Sequence, residues 1–391
     1  MEVKNTKYLI VLFEVISLIV LTLIISYFKL DFKVQELFYR AGSESAWYQK
    51  DSLGWRIAYH YGTLPAILLT FFACVGLILS WMRSKMRKLR RHFLFIILTL
   101  AIGPGLVVNA ILKDHWGRPR PRQVQEFAGK WEFKEIWEPG TPGKGKSFPC
   151  GHCSMGFFFI TLYYFWKQRR RALAYGSLLF SLVLGIYIGL ARMAQGGHFL
   201  SDVVWSGGLT YLTAAILFYW GLKIPEHEVQ SAEIAHESKR SPASPKKRLL
   251  IAIAGLLATA ILIFIFLFSK PFYRESVHSV NKEGLFKIVK LHLALNRGDI
   301  IVRSGRFDQA IRIKTIAQGF GFPKYRYQSE LFQRTIGDTL SAIYMVNLRG
   351  LFNELDVQTV VQIDSLYPIQ ISGGSEKGSL MFEAPKFKSN E

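Results

Sequence analysis

Three short stretches hold the residues best able to do chemistry together. Lys113 is followed after six residues by Arg120-Pro121. Pro149-Cys150-Gly151-His152 comes next, and then Arg192, with His198 six positions on and Asp202 four beyond that. Three cations, two imidazoles and a carboxylate are the parts of a site that holds a phosphate and attacks it. A phosphoryl group in transfer spreads negative charge over its equatorial oxygens, so catalysis is mostly positioning and electrostatic stabilisation. Lys113, Arg120 and Arg192 can supply that charge, and the guanidinium fork matches phosphate geometry. Gly151 has no side chain to keep its N–H from the oxygens. His198 is the expected nucleophile, since a neutral imidazole can attack phosphorus and leave a phosphohistidine for water to hydrolyse. Asp202 is expected to hold the other ring nitrogen of His198, from which it stands one helical turn away if the stretch is helical. His152 is the expected general acid for the leaving group. Chemistry of this kind requires no metal or other cofactor.

The elements that must position these residues are apolar runs of about 17–25 residues, the length that crosses a bilayer. Seven are expected, at 8–28, 58–82, 93–112, 153–167, 172–190, 203–222 and 249–268. The fourth is short and aromatic and continues from the Gly151-His152 loop. Every candidate site residue lies at the end of such a run. The loops after the second, fourth and sixth runs are rich in Lys and Arg, which places them and the N-terminus in the cytoplasm. The loops that carry 113–152 and 191–202 then share the opposite, periplasmic face. Residues 223–248 read as a polar cytoplasmic linker containing Ser241-Pro242-Ala243-Ser244-Pro245. Residues 249–268 carry the chain back across as a seventh transmembrane helix. Residues 269–391 form an external β-rich domain of six or more short strands. Its alternation is clearest at Val289, Leu291, Leu293 and Leu295, followed by a turn at 296–299 and a further strand. It holds no catalytic cluster.

Half of the 391 residues are hydrophobic, with 30 Phe and 9 Trp, and the net charge is +21. Such a charge can indicate nucleic acid. Here the basic residues sit in short clusters between apolar runs, which signals topology and lipid headgroup contact instead. No nucleic-acid partner is expected, and oligomeric state is not legible. The first apolar run is too long for a signal-peptide core and is read as an uncleaved anchor. Three cysteines are too few for a disulfide framework.

The three stretches resemble the type-2 phosphatidic acid phosphatase superfamily, whose pattern is Lys-x6-Arg-Pro, Pro-Ser-Gly-His and Ser-Arg-x5-His-x3-Asp. The resemblance spans about residues 60–222 and implies an all-α integral membrane bundle, with a six-helix core at 1–222 to which this chain adds one span and the β-rich domain. It implies catalytic roles for His198, His152 and Asp202, and phosphate binding by Lys113, Arg120, Arg192, Gly151 and Cys150. Cys150 and Ala191 stand where the family has serine. A thiol donates hydrogen bonds weakly, so weaker phosphate binding is expected at Cys150.

The loop from Lys113 to Pro121, continuing to Gly129, looks like the bacterial lipid A phosphatase branch. The expectation is a phosphatase of the bacterial inner membrane acting on a lipid phosphate, lipid A first. Undecaprenyl diphosphate, phosphatidylglycerol phosphate and phosphatidic acid are alternative substrates, and transfer to another acceptor is an alternative outcome. Cys150-Gly151-His152-Cys153 also matches the C-x-x-C of disulfide isomerases, a remote rival because that motif needs a βαβ setting. A milder possibility is a disulfide between these cysteines on an oxidising external face. A second class of reading makes the β domain a binding module anchored by the membrane part. Arg118 and Arg122 are expected to be interfacial anchors. His115 is a minor candidate for substrate contact, and Glu14, inside the first run, is expected to make an interhelical hydrogen bond.

Overall fold

The computed structural model describes residues 2–41, 46–50, 52–113, 115–141, 145–237, 270–282, 287–321, 325–350, 352–376 and 378–383. The chain divides into two compact units, Met1–Ile263 and Phe264–Glu391.

The first unit is helical. Its helices are α1 (Glu2–Tyr27), α2 (Leu30–Glu36), α3 (Leu53–Tyr61), α4 (Leu64–Met82), α5 (Arg90–Leu100), α6 (Gly151–Phe157), α7 (Ile160–Trp166), α8 (Arg171–Ala194), α9 (Leu200–Ile216) and α10 (Ile224–Glu237). Helix α5 runs on into wider π-type turns over Ala101–Lys113, where Pro104 supplies no N–H to the regular ladder. Among the described residues five helices are long and apolar enough to cross a membrane: Lys7–Tyr27, Leu53–Met82, Met86–Lys113, Arg171–Ala194 and Leu200–Gln230. Their outward faces carry Leu9, Phe13, Leu179 and Val183, while Thr99, Ser181 and Thr210 are fully buried. That distribution inverts a water-soluble bundle and suits hydrocarbon outside.

The apolar run at 153–167 differs from a single continuous span. It forms α6 and α7, separated at Phe158-Phe159. The helices around it approach closely. A Cβ at Gly156 would lie 2.6 Å from the Gly185 nitrogen, and one at Gly185 would meet the Phe157 ring at 2.4 Å. The expected linker begins with α10, so its first half is helical. The Pro/Ser stretch and the expected seventh span at 249–268 lie outside the described residues.

The second unit is a two-sheet β structure, as the alternating pattern requires. One sheet has the order β1-β4-β7-β3-β9 and the other β5-β6-β2-β8. The strands are β1 (Lys270–Val280), β2 (Ile288–Leu295), β3 (Asp299–Gly305), β4 (Ile311–Gly321), β5 (Arg326–Ile336), β6 (Thr339–Arg349), β7 (Phe352–Asp364), β8 (Ile369–Ser375) and β9 (Leu380–Glu383). Val289, Leu291, Leu293 and Leu295 of β2 face Ile300, Ile313, Val361 and Ile363 in one core. The turn at 296–299 does not make a hairpin. It carries the chain from one sheet to the other, and both flanking strands pair in parallel with neighbours, β2 with β6 and β8, β3 with β7 and β9.

Candidate active site

His198 sits in the tight turn between α8 and α9. Gly196 takes a left-handed φ of +61° there and packs under Trp47, where a Cβ would lie 2.5 Å from the ring. The imidazole is fully buried. Its Nδ1 lies 2.5 Å from the Ser147 carbonyl oxygen. A carbonyl only accepts, so Nδ1 bears the proton and Nε2 carries the lone pair. Nε2 is buried and has no hydrogen-bond partner among the described residues.

Asp202 was expected on Nδ1, but its nearer oxygen stands 3.8 Å away. The carboxylate is occupied elsewhere. Oδ2 accepts from the Ser147 hydroxyl at 2.5 Å and from the Phe199 N–H at 2.7 Å, and Oδ1 accepts from Arg118 Nη1 at 2.6 Å. The geometry has a simple local origin, because an acid in the first turn of a helix folds back on the N–H that precedes the helix. Asp202 therefore reaches the imidazole through Ser147: it fixes the hydroxyl of the residue whose carbonyl holds Nδ1.

Arg118 is not the interfacial anchor expected of it. It is fully buried and donates to Asp202, to Ser201 Oγ at 2.8 Å, to the Lys134 carbonyl at 2.8 Å and to Asp31 at 2.9 Å. Burial alone would lower its pKa, but the Asp202 and Asp31 carboxylates outweigh that and raise it above the ordinary arginine value.

The second stretch begins α6. The Cys150 N–H meets the Asp202 carbonyl at 3.3 Å, and the Cys150 carbonyl accepts from Ser206 Oγ at 2.6 Å. A Cβ on Gly151 would fall 2.2 Å from Asn109 Oδ1, so only glycine fits where α6 meets the Ala101–Lys113 stretch. Cys150 lies beside the His198 imidazole and the Cys153 thiol. Both cysteines are free and fully buried, without the disulfide that an oxidising face would allow.

His152 and Arg192 share a neighbour that sequence reasoning missed. Tyr59 of α3 stacks on His152 at 5.1 Å and 16°, and the Arg192 guanidinium lies 4.7 Å from the same ring. Arg192 also donates to Gln195 Oε1 at 2.5 Å. Lys113 and Arg120 are buried as well. Lys113 ends the stretch that packs on Gly151, and the Arg120 loop is tied to the His198 turn by the Arg122 N–H on the Gly196 carbonyl at 3.2 Å. The three stretches thus converge. His115 is exposed, with its Nδ1 2.7 Å from the Ile111 carbonyl. Glu14 Oε2 is buried and lacks the expected hydrogen bond among the described residues. Among those residues no three His, Cys, Asp or Glu side chains group to hold a metal ion.

The profile of the PAP2 superfamily matches residues 91–225, which hold every candidate from Lys113 to Asp202. A lipid A 4′-phosphatase of Francisella tularensis subsp. novicida is 38% identical over 154 residues, covering 39% of this chain and 67% of that protein. A lipid A 4′-phosphatase of Rhizobium leguminosarum is 36% identical over 132 residues, with 33% and 53% covered. A lipid A 1-phosphatase of Rhizobium etli is 30% identical over 168 residues, with 40% and 65% covered. The chain belongs to the PAP2 superfamily, in its lipid A phosphatase-like branch. It is a phosphatase, a hydrolase, built as a multi-pass membrane protein.

Proposed function

We propose that this phosphatase removes a phosphate from a membrane lipid headgroup, lipid A being the first choice, with His198 as nucleophile. The observation that carries this reading is the His198 ring, with Nδ1 fixed on a carbonyl and Nε2 buried and unpartnered. In the first step Nε2 attacks phosphorus, the N–P bond forms, and the P–O bond to the lipid breaks. His152 gives its proton to the departing oxygen. In the second step neutral His152 takes a proton from water, which attacks phosphorus, and the N–P bond breaks to release phosphate. Lys113, Arg120, Arg192 and the Gly151 N–H hold the equatorial oxygens, with no metal in either step. The phosphorylated imidazole is cationic, and Asp202 at 3.8 Å offsets that charge while Ser147 keeps the ring in place.

Helices α6 and α7 together make the fourth of the six crossings of the core: 16 residues rise about 24 Å, short for a bilayer but adequate where flanking loops dip inward. The Lys/Arg bias of the loops favours a site on the periplasmic face. The names of the relatives favour lipid A over undecaprenyl diphosphate or phosphatidylglycerol phosphate. Thiol exchange is disfavoured, because Cys150 and Cys153 offer no exposed sulfur.

The test is phosphate release from lipid A, undecaprenyl diphosphate, phosphatidylglycerol phosphate and phosphatidic acid in detergent with chelator present. Wild type should hydrolyse lipid A, and His198→Ala should not. Turnover that survives in His198→Ala would overturn the mechanism, and a different preferred lipid would overturn the substrate.

A further inference from the structure

Helix α2 lies between the first two apolar helices, outside residues 91–225 that the family profile matches. Its two fully or nearly buried polar side chains both reach the segment that carries His198. Gln35 donates from Nε2 to the His198 carbonyl at 2.6 Å. Asp31 accepts from the Ser201 N–H at 2.8 Å and the Ser201 hydroxyl at 2.6 Å, besides Arg118. Resting on the phosphatase reading above, we propose that α2 is a clip that positions the nucleophile, with Asp31 and Gln35 as positioning residues.

The need for such a clip follows from the chain itself. Helix α9 begins after Phe199, a residue with no side-chain oxygen to satisfy the free N–H groups of the first turn. Asp202 satisfies the N–H of Phe199, and Asp31 supplies the missing acceptor for Ser201 from a helix 170 residues away in sequence. His198 stands immediately before Phe199, two residues ahead of that helix start. Its side chain is aimed by the Ser147 carbonyl, but a ring can be aimed only if its backbone is held, and Gln35 holds that backbone. A carbonyl only accepts, so the orientation of the Gln35 amide is fixed. The other end of the amide, Oε1, is fully buried with no hydrogen-bond partner among the described residues. A buried acceptor left unpaired lowers stability, and an apolar side chain there would fold at least as well. Stability alone does not account for glutamine at this position, whereas placement of His198 does.

The experiment uses the full chain in detergent and the variants Gln35→Met, Asp31→Asn and Asp31→Ala. It reads kcat and KM for phosphate release, thermal unfolding, and backbone hydrogen exchange over residues 198–202. For Gln35→Met the clip predicts a kcat lower by about tenfold or more. KM should stay within about twofold, the unfolding temperature should not fall, and exchange at 198–202 should quicken. Asp31→Asn keeps an acceptor for Ser201 and should retain more kcat than Asp31→Ala. Gln35→Met with wild-type kcat and wild-type exchange would overturn the proposal. So would losses that track only the amount of folded protein. If the wild type hydrolyses no lipid, the phosphatase reading fails by itself, and exchange decides the clip: quickened exchange supports it and unchanged exchange refutes it.

Discussion

The two units bury polar groups for different purposes. In the helical unit Lys113, Arg118, Arg120, His152, Arg192, His198 and Asp202 are all buried, and all lie in three stretches that meet around one imidazole. Among the described residues of the β unit the buried polar ones are Thr315, Thr359, Asp364 and Ser379, each bonded to a neighbouring strand or turn. Asp364 shows the contrast. It accepts from the N–H groups of Phe307 and Leu366, both at 2.9 Å, and pairs with Lys282 at 2.7 Å, so its oxygens are committed to the turns that join strands. His198 keeps a buried nitrogen with no partner among the described residues. Buried charge that satisfies itself holds a fold together. Buried charge gathered around an unsatisfied base is what the proposed phosphoryl transfer needs.

Removing the base should produce the largest effect. His198→Ala is expected to lower phosphate release by at least about a thousandfold while the protein unfolds at nearly the wild-type temperature. Arg118→Met should come next. It leaves Asp31 and Asp202 as unpaired buried carboxylates, which costs about 3–5 kcal/mol, and thermal unfolding and turnover should fall together. Tyr59→Leu removes the ring shared by His152 and Arg192 and should lower kcat/KM about tenfold with little change in stability. Cys150→Ser should raise kcat/KM by roughly two- to tenfold, because a hydroxyl donates to phosphate better than a thiol.

The smallest effect on turnover is expected in the β unit. Asp364→Asn should leave phosphate release unchanged and destabilise that unit by about 1–3 kcal/mol. Burial would raise the Asp364 pKa, but Lys282 and the Leu366 and Phe307 N–H groups outweigh it and hold the carboxyl below its usual range. A depressed carboxylate contributes stability that is fully present above the unfolded value of about 4 and is lost as pH falls through the folded value. Unfolding of the β unit should therefore become easier below about pH 4 in the wild type, and Asp364→Asn should lose that acid dependence. A turnover defect in Asp364→Asn would break the contrast between the units.

Much of the candidate site was legible because the types and spacing of Lys113, Arg120, Gly151, His152, Arg192, His198 and Asp202 fit phosphate chemistry and resemble the family's three-part pattern. The supports were not. Ser147 reaches Nδ1 through its backbone carbonyl, which no side-chain pattern reports. Asp31 and Gln35 lie more than 160 residues from the turn that they touch. Arg118 looked like an anchor because it lies beside a membrane span and outside the motif spacing, and only packing shows two carboxylates closing on it. In the β unit, alternation named the inward face of β2 correctly. It could not tell a hairpin from a crossing between sheets, because period-2 patterning fixes which face is buried and not which strand is the partner. The break between α6 and α7 was hidden for a similar reason, since an unbroken apolar run does not report its own kinks.

On the proposed mechanism His198 carries the phosphoryl group between the two steps. Wild-type protein turning over a lipid labelled in its phosphate should be quenched in the steady state and digested. An alkali-stable, acid-labile label is expected on the peptide that contains His198, and none in His198→Ala. A label on another residue, or none while phosphate is being released, would contradict it.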